Sequence, residues 1–335
     1  MKMELTTNVD WVRFSELVAS KQRILVTTHI RPDCDALGSA LAMDAALRAV
    51  GKDARIACPS PTPPAYKFLD PEGRLVYLPD VPKEWIDSID LLIIVDTSAW
   101  AQLGDMGDVI RSTKADVVVL DHHVKSDDLG AEFFKDTTAE AAGRIVRDAA
   151  VAIGAEITPH IATALFAALA TDTGWFRFSS VGAKTYDLAA ELTRLGAQPD
   201  EVYRHLYEQE SLARLQLVGR TMARTVPEMD GHLIHTHITI QDFEECGARA
   251  SDSEDVVNQT LTVNGTQMAV IFVEQKEGGF KVSFRSRCDV DCSELAAQFG
   301  GGGHKKAAGA FINDTLETAK SQVLEATRVA LKASL

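Results

Sequence analysis

The chain has 335 residues, 46% hydrophobic and 24% charged, a composition typical of globular proteins and a length that favours two domains. Its formal net charge of -14 disfavours capture of long duplex DNA, because such binding sets many Lys and Arg side chains against phosphates. The sequence has no apolar run typical of a signal peptide or membrane span, and its five cysteines form no CxxC pair. We therefore expect a cytoplasmic protein with free thiols and no membrane association.

The first part of the chain alternates predicted strands and helices. ILVTT at 24–28 reads as a strand, a polar loop follows, and a small apolar helix ends at Gly51. Further strands are predicted at 53–58, 91–95 and 116–120, the last two as apolar runs typical of buried strands. This alternation predicts an α/β fold with a doubly wound, mainly parallel sheet.

Helical patterns without strands come next, at 137–153, 158–171, 183–195, 199–208 and 211–226. Strand patterns return in HLIHTHITI, TQMAVIFVEQ, GGFKVSFRSR and AGAFIN, with helices at 293–299 and 315–332. We expect a catalytic domain over 1–190, a helical linker over 191–228 and a smaller mixed α/β domain over 229–335.

Acidic and histidine residues follow three of the predicted strands and one helix of the first part. They are His29, Asp33, Asp35, Asp96, Asp121, His122, His123 and Asp172. The carboxyl ends of parallel strands line one crevice, so these side chains should converge. Clustered carboxylates need cations in a partly desolvated cleft. Mixed oxygen and imidazole donors favour two Mn²⁺ ions, with Mg²⁺ or Co²⁺ as alternatives, and such a pair suits phosphoester hydrolysis.

Four motifs in this part resemble the successive motifs of the DHH phosphoesterases. They are HIRPDCDALG, VDT, DHH and TDTG, within residues 29–175. That family includes RecJ exonucleases, cyclic dinucleotide phosphodiesterases, NrnA-type oligoribonucleases and manganese pyrophosphatases.

The resemblance implies a role for each of these residues. One metal would be bound by His29 and Asp33, and Asp96 would bridge both metals. His123 would approach the scissile phosphate, and Asp121 would orient an imidazole. The second metal would be bound by Asp35, His122 and Asp172.

The C-terminal part carries a second signal, FGGGGHKKAAGAF at 299–311. Successive glycines let backbone N–H groups approach a phosphate. Together with KVSFRSR at 281–287, this stretch resembles the DHH-associated C-terminal domain. The resemblance makes the following residues candidates for substrate contact: Arg285, Ser286, Gly302, Gly303 and His304.

The arrangement is most similar to NrnA-type enzymes, which implies hydrolysis of single-stranded oligonucleotides of two to five nucleotides. Removal of the 3′-phosphate from adenosine 3′,5′-bisphosphate is implied as a second activity, and the family suggests a homodimer. A cyclic or linear dinucleotide phosphodiesterase is the alternative within the family. A nucleotide sensor that does not cleave its ligand is the alternative of another class.

Several further residues are interpreted as structural. Asp44, Asp70 and Asp105 are expected to be solvated surface groups. His235 and His237 share a predicted strand face, but no further ligand lies near them in sequence, so we interpret them as ordinary strand residues.

Overall fold

The computed structural model describes residues 4–334. The chain forms two compact units, Met1–Gln209 and Glu210–Leu335. Within the described residues, each unit contains one six-stranded sheet. None of the described helices is long and apolar enough to cross a membrane.

The sheet of the first unit is entirely parallel, with strand order β3-β2-β1-β4-β5-β6. Its strands are β1 (Arg23–Thr27), β2 (Asp53–Cys58), β3 (Leu75–Tyr77), β4 (Leu91–Val95), β5 (Asp116–Asp121) and β6 (Glu132–Lys135). The chain leaves β1 in one direction along the sheet and returns to β4 on its other side. β1 and β4 therefore flank a topological switch point, where open α/β sheets bind ligands.

Helices cover both faces of this sheet. They are α1 (Trp11–Ala19), α2 (Cys34–Ala49), α3 (Lys83–Ile86), α4 (Met106–Ser112), α5 (Ala142–Ala152), α6 (Pro159–Asp172), α7 (Ala183–Arg194) and α8 (Pro199–Tyr207). Successive β1 residues alternate between the two cores, with Ile24 and Val26 in one and Leu25 in the other. Burial on both faces explains the continuous apolar runs, and the predicted doubly wound fold is confirmed.

Helix α2 lies in the middle of the larger core, and almost all its residues are buried. Its close approach to α6 depends on Gly38, where an added Cβ would lie 2.4 Å from the carbonyl oxygen of Ala164. The small residues of the α2 pattern therefore serve close helix packing.

Two features differ from the sequence expectation. Helix α5 begins at Ala142, whereas the pattern predicted a start at 137, because Asp136 forms a turn by accepting from the backbone N–H of Thr138. Asp44 is buried, not solvated, because the guanidinium groups of Arg48 and Arg74 both bind its carboxylate.

The second unit has a mixed sheet of order β11-β12-β10-β9-β8-β7, in which only β8 and β9 pair in parallel. Its strands are β7 (Val226–Glu228), β8 (Leu233–Ile238), β9 (Met268–Glu274), β10 (Phe280–Ser286), β11 (Gly302–His304) and β12 (Ala307–Ile312). Its helices are α9 (Leu212–Ala223), α10 (Ile240–Cys246), α11 (Val256–Thr260), α12 (Cys292–Ala297) and α13 (Leu316–Lys332).

The two faces of this sheet are covered unequally. Side chains of α12 and α13 pack on one face with Val282 and Phe284 of β10. On the other face, side chains of α9, α10 and α11 pack on residues of β8 and β9, including Ile238 and Ile271. Lys281 of β10 and Phe311 of β12 are exposed.

The segment 191–228, predicted as a linker, is shared between the two units. Val202 of α8 belongs to the core of the first unit, and Leu217 of α9 belongs to a core of the second. Each helix buries an apolar residue in its own unit.

Candidate metal and substrate-binding sites

The candidate metal-binding and catalytic residues of the first unit lie where β1, β4 and β5 end. His29 follows β1 by two residues, Asp96 follows β4 directly, and Asp121 is the last residue of β5. Asp172 is the last residue of α6. Parallel strand direction and the end of α6 bring these side chains together at one edge of the sheet.

Asp96 lies at the centre, and its two carboxylate oxygens face different partners. Oδ2 lies 3.5 Å from Nε2 of His29, which is itself 3.9 Å from Oδ1 of Asp33. Oδ1 lies 3.5 Å from Nε2 of His122 and 3.8 Å from Nδ1 of His123. Asp96 therefore belongs to two groups of donors at once.

A further group is completed by Asp35 and Asp172. Nε2 of His122 lies 4.0 Å from Oδ2 of Asp35 and 3.5 Å from Oδ2 of Asp172. The sets His29, Asp33, Asp96 and Asp35, His122, Asp172 each have ligand atoms within 4.8 Å of one another. These are the two sets that the resemblance implied as metal ligands.

The carboxylate of Asp96 is buried, and the backbone conformation of this residue is uncommon. It is 3% exposed, and its Oδ1 makes no hydrogen bond with any described residue. Its φ of 61° is uncommon for a residue other than glycine. A buried acceptor without a donor is costly, so a cation at this position would satisfy what the protein leaves open.

The pKa shifts show the same conflict between burial and clustered charge. Burial raises the pKa of Asp35 well above its usual range, and Asp96 and Asp172 raise it further. Burial also opposes ionisation of Asp96, but His122 and His29 hold its pKa below the usual range. Although burial disfavours the imidazolium, the surrounding carboxylates raise the pKa of His122 to about 9. A bound divalent ion would take the place of that proton.

Asp121 and His123 form a separate pair beside these groups. Nδ1 of His123 lies 2.7 Å from Oδ1 of Asp121, while Oδ2 of Asp121 accepts from the hydroxyl of Ser98 at 2.6 Å and lies 3.0 Å from Nζ of Lys135. Burial opposes ionisation of Asp121, but these donors hold its pKa below the usual range. The pair with Asp121 also raises the pKa of His123.

Supporting groups were not found by the sequence analysis. The backbone N–H groups of Ala142 and Gly143, at the start of α5, donate to Asp35 at 2.7 and 3.0 Å, and the hydroxyl of Ser39 donates at 3.2 Å. A polar residue one turn after Asp35 was a signal for Ser39. Ser98 and Lys135 carried no such signal, because their partner Asp121 lies on another strand.

In the second unit, strand register brings Arg285 and His304 to the same level of one sheet face. Both pair with Ala307, which lies on the strand between them. Their Cα atoms are therefore about 10 Å apart, which is two strand spacings. His304 is exposed and Arg285 is partly exposed, so both are accessible to solvent on this face.

Of the candidate glycines, Gly302 also lies on this face, because it pairs with Gly309, which pairs with Ser283. Gly303 has a packing role, since its added Cβ would lie 2.6 Å from Cα of Ala308. The end of the glycine run, Gly302–His304, thus forms a short edge strand that lies tightly against β12.

Ser286 does not share the face of Arg285. Side chains alternate along a strand, so Ser286 points to the covered face, where it is 6% exposed and its hydroxyl donates to the carbonyl of Cys288. Ser283 lies on the Arg285 face in its place.

Arg285 is fixed by its neighbours. Its Nε donates to Oδ1 of Asn258 at 2.9 Å, and its Nη1 donates to the carbonyl of Phe284 at 3.1 Å. Asn258 in turn donates to Oδ1 of Asp255 at 2.9 Å. This series of hydrogen bonds orients the guanidinium. It was missed by the sequence analysis, since Asn258 lies in a different element.

Comparisons with known proteins show which family the chain resembles. Residues 23–169 match the model of the DHH family N-terminal domain, and residues 235–333 match the DHHA1 domain. The bifunctional oligoribonuclease and PAP phosphatase NrnA of Thermus thermophilus is 32% identical over 93% of this chain and 91% of that protein.

Two solved structures share the fold. An exopolyphosphatase-related protein from Bacteroides fragilis has a TM-score of 0.80 and 23% identity, covering 98% of both chains. The exonuclease RecJ bound to manganese has a TM-score of 0.53 and 15% identity, covering 97% of this chain and 96% of that one.

Proposed function

The chain belongs to the DHH family, and from that membership and the geometry of its first unit we propose that it is a metal-dependent phosphoesterase of short oligonucleotides. It hydrolyses RNA of two to five nucleotides to mononucleotides and removes the 3′-phosphate from adenosine 3′,5′-bisphosphate. The observation that carries this proposal is the buried Asp96 carboxylate, whose two oxygens face two separate sets of donors.

The donors fit two divalent ions. His29 and Asp33 would hold one, Asp96 would contact both, and the remaining set of Asp35, His122 and Asp172 would hold the other. Oxygen ligands mixed with imidazole suit Mn²⁺, whereas thiolate-rich sites suit Zn²⁺. When bound, such a pair activates water and neutralises charge on the phosphoryl oxygens.

His123 is proposed to contact the phosphate. Its Nδ1 is engaged by Asp121, and its side chain is half exposed, so Nε2 is available to substrate. The hydrogen bond to Asp121 raises the pKa of His123, and in the imidazolium form Nε2 donates a hydrogen bond. Such a donor stabilises negative charge that grows on phosphate oxygens as the ester bond breaks. Asp121 orients His123 and does not touch substrate.

The second unit is proposed to bind substrate through Arg285, His304 and the backbone of Gly302. The Arg285 guanidinium is held by Asn258 and lies 4.0 Å from Oδ1 of Asp255, and its planar N–H donors suit a phosphate. The catalytic domain is proposed to lie in the first unit and the substrate-binding domain in the second. Assembly as a homodimer and a cytoplasmic location for the five free thiols stay predictions.

The test is a hydrolysis assay with added Mn²⁺ that compares RNA from dimers to 24-mers with adenosine bisphosphate, cyclic dinucleotides and pyrophosphate. We expect the highest kcat/KM for two to five nucleotides, with measurable cleavage of the bisphosphate. Preference for a cyclic dinucleotide would support the signalling alternative. No turnover of any substrate by protein with bound metal would contradict the proposal and support the sensor.

A further inference from the structure

The face of the second sheet that carries Arg285 extends well beyond it. Lys281, Ser283 and Arg285 are alternate residues of β10, so their side chains stand on the same face. Lys281 pairs in register with Phe311 of β12, which places an exposed lysine and an aromatic ring side by side.

The ring of Phe311 lies over a glycine, yet much of its surface is open to solvent. Its ring lies over Gly279, where an added Cβ would be 2.8 Å from Cζ of the ring. Gly279 has a φ of 73°, so glycine is favoured both by the turn and by the ring above it. The side chain is nevertheless 52% exposed, which leaves ring surface open to solvent.

Between β10 and β11, this face of the sheet is nearly free of side chains. Ala307 and Gly309 of β12 lie between β10 and the edge strand, and Gly302 lies beyond Gly309. Phe311 is about 13 Å along β12 from Ala307, at the rise of an extended strand. A nucleotide whose phosphate is held over Ala307 by Arg285 is therefore too far away for its own base to contact the ring of Phe311.

Charge on this face favours a phosphate on the open side. Lys281 makes no ion pair with a described residue, so its ammonium group is available. On the β9 side of β10, a cavity of about 200 Å³ is lined by Lys281, Ser283 and Arg285 themselves, together with the carboxylates of Glu254 and Asp255. Those carboxylates repel a phosphate, which directs it towards β12.

We propose that Lys281, Ser283 and Phe311 bind a second nucleotide of the substrate, next to the one held by Arg285 and His304. This inference rests on the proposed function, and it is argued from continuity with the Arg285 face and from charge complementarity. Phe311 stacks on the base, which requires no particular sequence, while Lys281 and Ser283 contact the phosphate. The surface thereby favours oligonucleotides over single nucleotides.

The test compares kcat/KM for a trinucleotide and for adenosine 3′,5′-bisphosphate in the wild type and in Phe311→Ala. Loss of one stacking contact is expected to lower kcat/KM for the trinucleotide about tenfold, mainly through KM. The bisphosphate has no second base, so its kcat/KM stays at the wild-type value. Phe311→Trp is expected to restore the trinucleotide rate, and Lys281→Ala to lower it while Lys281→Arg retains it.

Phe133→Ala is the matched control, because it removes an exposed phenylalanine from the first unit. Equal loss on both substrates, or no loss on either, would overturn the second-nucleotide assignment, provided that each variant unfolds at the wild-type temperature. If the wild type hydrolyses the bisphosphate but no oligonucleotide, the proposed function fails as well. The two failures are therefore distinguishable.

Discussion

Gly38→Ala tests whether close packing of α2 on α6 positions the metal ligands. The added Cβ would lie 2.4 Å from the carbonyl oxygen of Ala164, whereas ordinary contact begins near 3.4 Å, so the helices must separate by about 1 Å. Asp35 precedes Gly38 by one turn of α2, and Asp172 ends α6. The separation therefore acts directly on two proposed ligands of one metal.

Two effects are expected from this substitution. Overpacking a core costs about 1–3 kcal/mol, which lowers the melting temperature by several degrees. A misplacement of about 1 Å can lower catalysis by as much as about 100-fold. Thermal unfolding and kcat/KM at saturating Mn²⁺ measure the two effects separately.

Gly219→Ala provides a matched control with the opposite sign. Gly219 lies inside α9, and an added Cβ there meets nothing within 4 Å. Alanine in a helix interior is favoured over glycine by up to about 1 kcal/mol, so this variant should be slightly more stable and fully active. A Gly38→Ala protein with wild-type melting temperature and rate would refute the packing argument.

Two further predictions concern the second unit. Arg285→Ala and Asn258→Leu should each raise KM with little change in kcat. The double variant should have no higher KM than Arg285→Ala, because Asn258 acts through the guanidinium. Additive effects of the two substitutions in steady-state kinetics would contradict this. Burial, with Lys320 and Arg224 nearby, lowers the pKa of His237 to about 4. Since the unfolded state then binds more protons below about pH 6.5, the stability contributed by neutral His237 is full above that pH and is lost as the pH falls towards 4. Urea unfolding across this range should show a smaller loss for His237→Gln, and an identical pH dependence would contradict the assignment.

Much of the proposed metal site could be predicted from the sequence because parallel strands end at a common edge. His29, Asp96 and Asp121 follow three apolar runs, so their convergence could be predicted from the pattern alone. The common edge of the strands does not by itself place Asp172, because this residue ends a helix whose orientation depends on packing against α2. The pattern named Asp172 as a candidate because it follows an apolar helix, and the family motif supported it.

Other features depend on contacts between distant residues, which a linear pattern does not contain. Asp44 is buried because Arg74, 30 residues away, binds its carboxylate. Similarly, Gly302–His304 becomes a strand because Gly303 allows close contact with Ala308. Ser286 was placed on the substrate surface by motif similarity, whereas strand alternation turns it to the covered face and leaves Ser283 beside Arg285.

The most direct test of the account is turnover of a labelled trinucleotide by the wild type and by Asp96→Ala at saturating Mn²⁺. Asp96 is proposed to contact both metals, so the wild type should release mononucleotides, and the variant should release none while remaining folded by circular dichroism. Full activity in Asp96→Ala, or no turnover by a metal-loaded wild type, would contradict the claim that this centre hydrolyses short oligonucleotides.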